Sequence, residues 1–447
     1  PLRARPQDGR AHRAGGGRPA AAPPSEIPSV EHRLRELLAT LQLPELAAQL
    51  VQSEQSDAKQ HELARTSLGA VYFSGENGPG EDDEASWRNE TMRLQREAML
   101  AKPHRIPVLV GVDTVHGMSH ARGATIFPHN IALGCTRNEG LLEEIGRATA
   151  LEAAAVGVSW GYAPCVALAT DVRWGRTYEA FSQDPDLVGR LGAAFVRGAA
   201  SAGVPFVTCG KHWVADGGTR FGSGRVPGRP LDRGDWSGSL EELRRTHMKP
   251  YEYLIGAGVQ SMMVSFSSIN GTLNHGHRAL LTGELKQRLG FRGFVSSDFA
   301  AVGKLHINFT IALQMALNAG LDLVMLAPSS SPGNPTPAEL QQRIVDLVHS
   351  RLVPHERVQD AARRVLWAKL ASGLAARPLA SSAKGVFGAA GHRKLARRAA
   401  AESTVVLQNR QSILPLSFKR HHICVAGKAA DNAGMHAGGW TLSWQGK

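Results

Sequence analysis

The chain has 447 residues, enough for two or three domains, and its 43% apolar and 20% charged content is ordinary for a globular protein. The net charge of +12 sits almost wholly in residues 1–25 (+4) and 351–400 (+9), with no aromatic interleaving or binding motif, which argues against a nucleic-acid partner. No apolar run approaches the roughly 18 residues a membrane span needs. Cys135, Cys165, Cys209 and Cys424 lie far apart without metal-ligand spacing, which argues against a zinc site or disulfide framework.

Residues 1–29, rich in Arg, Gly and Pro, are expected to form a disordered tail. The chain opens on Pro1, so more sequence is expected before it, and this leader has no clear apolar signal-peptide core. Residues 31–52 read as helix, with leucines at 34, 37, 38, 41 and 43 interrupted by Pro44. Short apolar runs then alternate with helical stretches. Strands are predicted at 69–73, 106–112, 158–166, 206–209, 261–266, 294–297 and 321–326. Thr282 is placed to cap a helix over 283–289 that Gly290 closes, and a second helix over 309–318 ends at Gly320.

Runs this apolar require a parallel sheet buried on both faces. Seven such units over some 300 residues favour an α/β (β/α)8-type (TIM-like) barrel over a doubly wound sheet. The barrel is predicted to span residues 30–370. A small-residue linker follows at 371–391, then a helix at 392–402 and strands at 404–408 and 423–426. Two strands and a helix cannot bury a core, so residues 392–447 are expected to begin a second α/β sandwich domain that is incomplete.

In a parallel barrel the strand C-termini form the active face, which draws attention to polar residues just after the apolar runs. Five places qualify: Asp113, the Arg173–Arg176 stretch, Lys211 with His212, Asn270, and Asp298. Carboxylate acceptors and cationic donors together suit vicinal hydroxyls, and a reacting anomeric carbon needs an ionised carboxylate. Taken singly, each residue has a plain reading as well. Asp298 fits a helix cap or loop carboxylate, Arg173 a structural ion pair, Lys211 the surface, and His212 the core.

The segments RIPVLVGVDTVHG, ATIFPHNIALGCTRN, GVSWGYAPCVALATDVRWGRTYEAFSQDPDLV, CGKHWVADGGT and GFRGFVSSDFAAV resemble glycoside hydrolase family 3, in its β-glucosidase and exo-β-glucanase branch. VLQNRQSILPLS and GKAADNAGMHAGGWTLSWQG extend the likeness over roughly residues 30–446. The resemblance implies retaining, exo-acting hydrolysis of terminal β-D-glucosyl residues from β-glucosides or β-glucan oligosaccharides, with no cofactor. Asp298 falls on the nucleophile position. Asp113, Arg176, Lys211 and His212 fall on positions that bind the terminal sugar, and Trp444 and Trp440 on aromatics that stack on its neighbour. A core role for Trp440 stands equally. The likeness also favours a secreted or extracytoplasmic location.

The chain departs from the family pattern in several places. Phe299 replaces the usual tryptophan after the nucleophile, keeping an aromatic wall but losing the indole donor. Phe266 stands where some relatives have tyrosine. The loop RFGSGRVPGRPLDRGDW is arginine-rich where some plant relatives offer a glutamate. The family's general acid/base lies beyond the GGW…W motif, so none is identified in these 447 residues. That leaves an incomplete enzyme as the first expectation and a non-catalytic carbohydrate-binding protein as the second. A β-N-acetylhexosaminidase is disfavoured because the loop after Lys211-His212 contains neither His nor Asp-Ser. Whether xylose replaces glucose stays open.

Overall fold

A computed structural model describes residues 27–446 apart from 59–62, 64–65, 76–77, 102, 380–384 and 418–421. Most of the expected tail and part of the linker therefore lie outside the described residues. Eight strands run parallel: β1 Val51–Glu54, β2 Ala70–Tyr72, β3 Leu109–Val112, β4 Trp160–Gly161, β5 Val207–Trp213, β6 Ser261–Val264, β7 Phe294–Ser296 and β8 Val324–Met325. Their order is β7-β6-β5-β4-β3-β2-β1-β8. The two ends meet where Ser296 bridges Leu323 and the Ser297 amide donates to the Leu323 carbonyl at 2.9 Å. The sheet closes on itself and leaves no edge to pair with another chain.

Alternate residues divide between lumen and wall. Tyr72, Leu109, Trp160, Cys209, Phe294 and Met325 pack inside the barrel, while Val71, Val110 and Val295 join the layer shared with the helices. Both faces are thus buried, which explains why the strand sequences are apolar without alternation. Two hydrogen bonds cross the lumen: Gln52 donates to the Tyr162 hydroxyl at 2.6 Å, and the Trp160 indole to Ser261 at 2.9 Å. On the outside, the helices Glu139–Ala155 and Pro185–Ser201 touch through glycines. A Cβ on Gly146 would sit 2.2 Å from the Phe195 carbonyl oxygen, and one on Gly198 would sit 2.0 Å from that of Glu143.

All seven predicted strand positions hold a barrel strand, and the eighth was hidden. The helix expected over 31–52 is really two, Ile27–Thr40 and Leu43–Ala48, after which the chain turns directly into β1. Thr282 is not a cap: its hydroxyl donates to the Ala319 carbonyl at 2.8 Å. The helix there is a wide, π-type turn sequence over Ala279–Arg288. The next helix, Phe309–Ala319, ends as predicted at Gly320 in left-handed conformation.

Beyond the barrel, the expected helix forms over Ala390–Glu402 and docks on the barrel flank, with His392 Nδ1 at 2.7 Å from Glu152 and Arg398 at 2.7 Å from Glu144. The strands expected at 404–408 and 423–426 do not form. Those residues run past the barrel unpaired, and Val406, Leu407, Ile423 and Val425 are exposed. A strand needs a neighbour to take up its backbone groups, and among the described residues none lies alongside.

Candidate active site

The C-terminal ends of the strands gather most of the polar residues singled out from the sequence. Asp113 follows β3 directly, and Asp298 lies two residues past β7. Lys211 and His212 lie inside β5, not after it, because this strand runs on through Trp213. Arg176 arrives on the loop after β4, just before a single 3-10 turn, Thr177–Glu179.

Two ion pairs anchor the centre. Arg176 meets Glu179 side-on, Nε to Oε1 at 2.7 Å and Nη2 to Oε2 at 2.8 Å, the bidentate geometry that fixes a guanidinium in orientation as well as place. Glu179 is fully buried, which by itself would raise its pKa. The charge and hydrogen bonds of Arg176, with the charge of Lys211, outweigh burial and hold it at about 2. Lys211 Nζ donates to Asp113 Oδ1, and Lys211 is 1% exposed. Burial opposes the charge on this ammonium, but Asp113 and Glu179 keep its pKa above the usual lysine value.

His212 links the groups together. Its Nδ1 lies 2.8 Å from Asp216 Oδ2, and its Nε2 lies 3.3 Å from Arg176 Nη2 and 3.7 Å from Asp298 Oδ2. A tautomer that donates from Nδ1 to Asp216 and accepts at Nε2 from Arg176 satisfies both short contacts. Asp298 is held in turn by His275, whose Nε2 accepts the Asp298 backbone N–H at 3.1 Å. Burial, and then the neighbouring His212, push the His275 pKa down to about 3, so it is a neutral acceptor. Asp298 Oδ1 also accepts the Phe299 amide at 2.6 Å, which leaves Oδ2 as the freer oxygen. The carboxylate caps no helix. It faces a cavity of about 470 Å³ that Arg176, His212, Asp216, Phe266 and Trp444 also line.

One wall of that cavity comes from far along the chain. Residues 437–444 lie across the barrel mouth, held by the Ser119 hydroxyl to the Trp440 carbonyl (2.5 Å), by the Leu442 amide to the Ser119 carbonyl (3.0 Å), and by the Trp444 amide to the Gly75 carbonyl (3.1 Å). His116 Nε2 reaches Thr441 at 3.2 Å and stacks on His129 with ring centres 3.9 Å apart, while His129 Nε2 lies 3.2 Å from the Ala437 carbonyl. Trp444 lines the cavity and is 41% exposed. Trp440 is set back: its ring lies 5.2 Å from Lys211 Nζ.

Of Phe299, Arg173 and Asn270, Arg173 alone lines the cavity. Phe299 packs edge-on against Tyr72, with centroids 6.2 Å apart, and does not line the cavity. Arg173 forms the expected structural pair, with Asp171 at 2.6 Å. Asn270 is not part of the site. Its amide ties the Ser268–Leu273 hairpin to the Gly238 backbone. Sequence reasoning passed over Glu179, Asp216 and His275. Glu179 carried a weak signal, a carboxylate three residues after Arg176. His275 carried none.

Compared with known families, residues 34–368 match the glycosyl hydrolase family 3 N-terminal domain. The chain belongs to glycosyl hydrolase family 3. Among family relatives, the lysosomal beta glucosidase of Dictyostelium discoideum is 29% identical over 382 residues, which cover 80% of this chain and 44% of that protein. The periplasmic beta-glucosidase of Salmonella typhimurium is 30% identical, over 80% of this chain and 46% of its own length. The chain thus spans less than half of these two family 3 relatives. The crystal structure of an exo-1,3/1,4-beta-glucanase from a Pseudoalteromonas species superposes with a TM-score of 0.84 at 37% identity, covering 94% of this chain and 53% of that one. Among the described residues, no helix is long and apolar enough to cross a membrane.

Proposed function

We propose that this cavity serves the hydrolysis of terminal non-reducing β-D-glucosyl residues from β-glucosides or β-glucan oligosaccharides, with Asp298 as nucleophile in a retaining mechanism. The observation that carries the reading is the Asp298 carboxylate. It opens into a cavity at the C-terminal mouth of the barrel, with Oδ2 3.7 Å from His212 and Arg176 fixed beside it. In this reading Oδ2 attacks the anomeric carbon, the glycosidic bond breaks with its electron pair going to the leaving oxygen, and water later releases the sugar. Arg176 supplies donors to the hydroxyls with His212 accepting from it behind, and Asp113 and Lys211 extend that polar wall. Trp444 presents an apolar face to the neighbouring ring.

The same reading assigns no acid/base among the described residues lining the cavity. Glu179, at about 2 and locked to Arg176, stays ionised at neutral pH, Asp216 is taken by His212, and Asp232 faces Arg229 at 3.8 Å. Departure of the leaving group therefore governs the rate for this chain by itself. Aryl glucosides with very good leaving groups are expected to glycosylate Asp298, while alkyl glucosides lag by ~10²–10⁴-fold.

The test is covalent trapping. Incubation with a 2-deoxy-2-fluoro-β-glucoside carrying a dinitrophenolate leaving group, then peptide mass spectrometry, should place one fluoroglucosyl unit on Asp298. Asp298→Asn should abolish labelling and lower aryl-glucoside turnover by at least about a thousandfold. Absence of label on a chain shown to be folded would remove the assignment. The same proposal takes residues 30–370 as the catalytic barrel and 371–391 as a linker after it.

A further inference from the structure

Four arginines line the cavity, and three of them are already paired. Arg176 is locked to Glu179, Arg173 to Asp171, and Arg229 lies 3.8 Å from Asp232. Arg233 meets no carboxylate at ion-pair distance among the described residues. Its guanidinium lies 4.1 Å over the ring of Phe266, which also lines the cavity. The loop that presents it is braced. Arg225 donates from one nitrogen to the Arg233 carbonyl at 3.0 Å and from another to Ser268 at 2.5 Å. Arg233 itself has a left-handed backbone, φ +55, which a long L side chain adopts only when its surroundings enforce it. Phe266 in turn lies 6.1 Å, centroid to centroid, from His275, the imidazole that holds the Asp298 amide.

A guanidinium over an aromatic ring engages it through its face and can keep an edge, with its paired N–H donors, for a second partner. That edge matches a planar carboxylate better than it matches a hydroxyl, because both oxygens accept at once and the charge is neutralised. We propose that Arg233 on Phe266 is a specificity-determining platform, and that it directs this cavity to glucosides whose leaving portion is an acidic saccharide bearing a uronate carboxylate. The proposal rests on the reading of the cavity as a glucoside site.

The experiment measures binding by calorimetry in the Asp298→Asn background, with two disaccharides of one linkage, glucosyl-glucose and glucosyl-glucuronate. The acidic sugar should bind about tenfold more tightly at low ionic strength, with the advantage shrinking as salt is added. In Arg233→Asn the two sugars should bind alike. Asparagine tolerates the left-handed backbone well, so this variant is expected to fold, and a thermal melt checks it. Equal affinities in the parent, or an acidic preference that survives Arg233→Asn, would overturn the proposal. If Asp298 takes up the fluoroglucosyl label yet no acidic preference is found, only the Arg233 platform falls. If the label itself fails, the glucoside reading falls with it.

Discussion

At the scale of single residues, the mouth of the barrel is a set of charges that depend on one another. Lys211 is buried, and among the described residues Asp113 is its one hydrogen-bonded carboxylate. Removing Asp113 leaves a buried ammonium without its hydrogen-bonded carboxylate, compensated only at longer range by Glu179. Asp113→Ala should cost about 3–5 kcal/mol of folding stability, read as a lowered urea midpoint with an unchanged slope. Asp113→Asn, which keeps a hydrogen-bond acceptor, should cost less. A loss no larger than a surface substitution would mean that water reaches the Lys211 ammonium. The sequence disclosed Asp113, Lys211, His212 and Asp298 because each follows or ends an apolar run, and barrel geometry sends such positions to one face. It could not disclose His275, which reaches the nucleophile only through the fold of the loop after Asn270. Nor could it separate Trp440 from Trp444. That distinction depends on how residues 437–444 cross the mouth.

Secondary-structure elements were readable where both ends carried a marker. The helix Phe309–Ala319 is the plain case. Asn308 accepts the amides of Thr310 and Ile311 at 2.9 and 3.3 Å, and Gly320 closes the helix with φ +116. Asn308→Ala should lower stability by about 1 kcal/mol, measured by chemical denaturation, with Asn308→Asp close to the parent. β1 went unseen for the opposite reason. Gln49 and Leu50 lie between helix and strand with neither glycine nor proline to mark the change, so one apolar pattern ran through both. The 404–408 and 423–426 segments have strand composition, yet composition supplies only half of a strand. The other half is a hydrogen-bonded neighbour, which a local pattern does not contain.

For the whole molecule, the strongest lever is acid. Burial lowers the pKa values of His116 and His275 to about 3 and that of His247 to about 4, from an ordinary value near 6.5. Glu179 is held at about 2 against 4.5. In every case the unfolded chain takes up protons that the native one refuses, so stability rises with pH. The histidine share is complete above about pH 6.5 and drains away toward pH 3. The Glu179 share is complete above about 4.5 and drains away toward 2. Urea melts at about pH 7.5, 5.5 and 4 should give steadily lower midpoints. A flat profile would show that these side chains are solvated in the native barrel.

Trp444 has a practical consequence. The chain has eight tryptophans, of which Trp87, Trp160 and Trp213 are fully enclosed and Trp174 and Trp236 nearly so. Trp444 alone among them combines broad exposure with a place in the cavity wall. The red edge of the emission spectrum therefore belongs largely to this one indole, and a quencher such as acrylamide will find it first. A sugar ring settling on its face should shift that edge to the blue and blunt the quenching, so the protein carries its own optical gauge of occupancy.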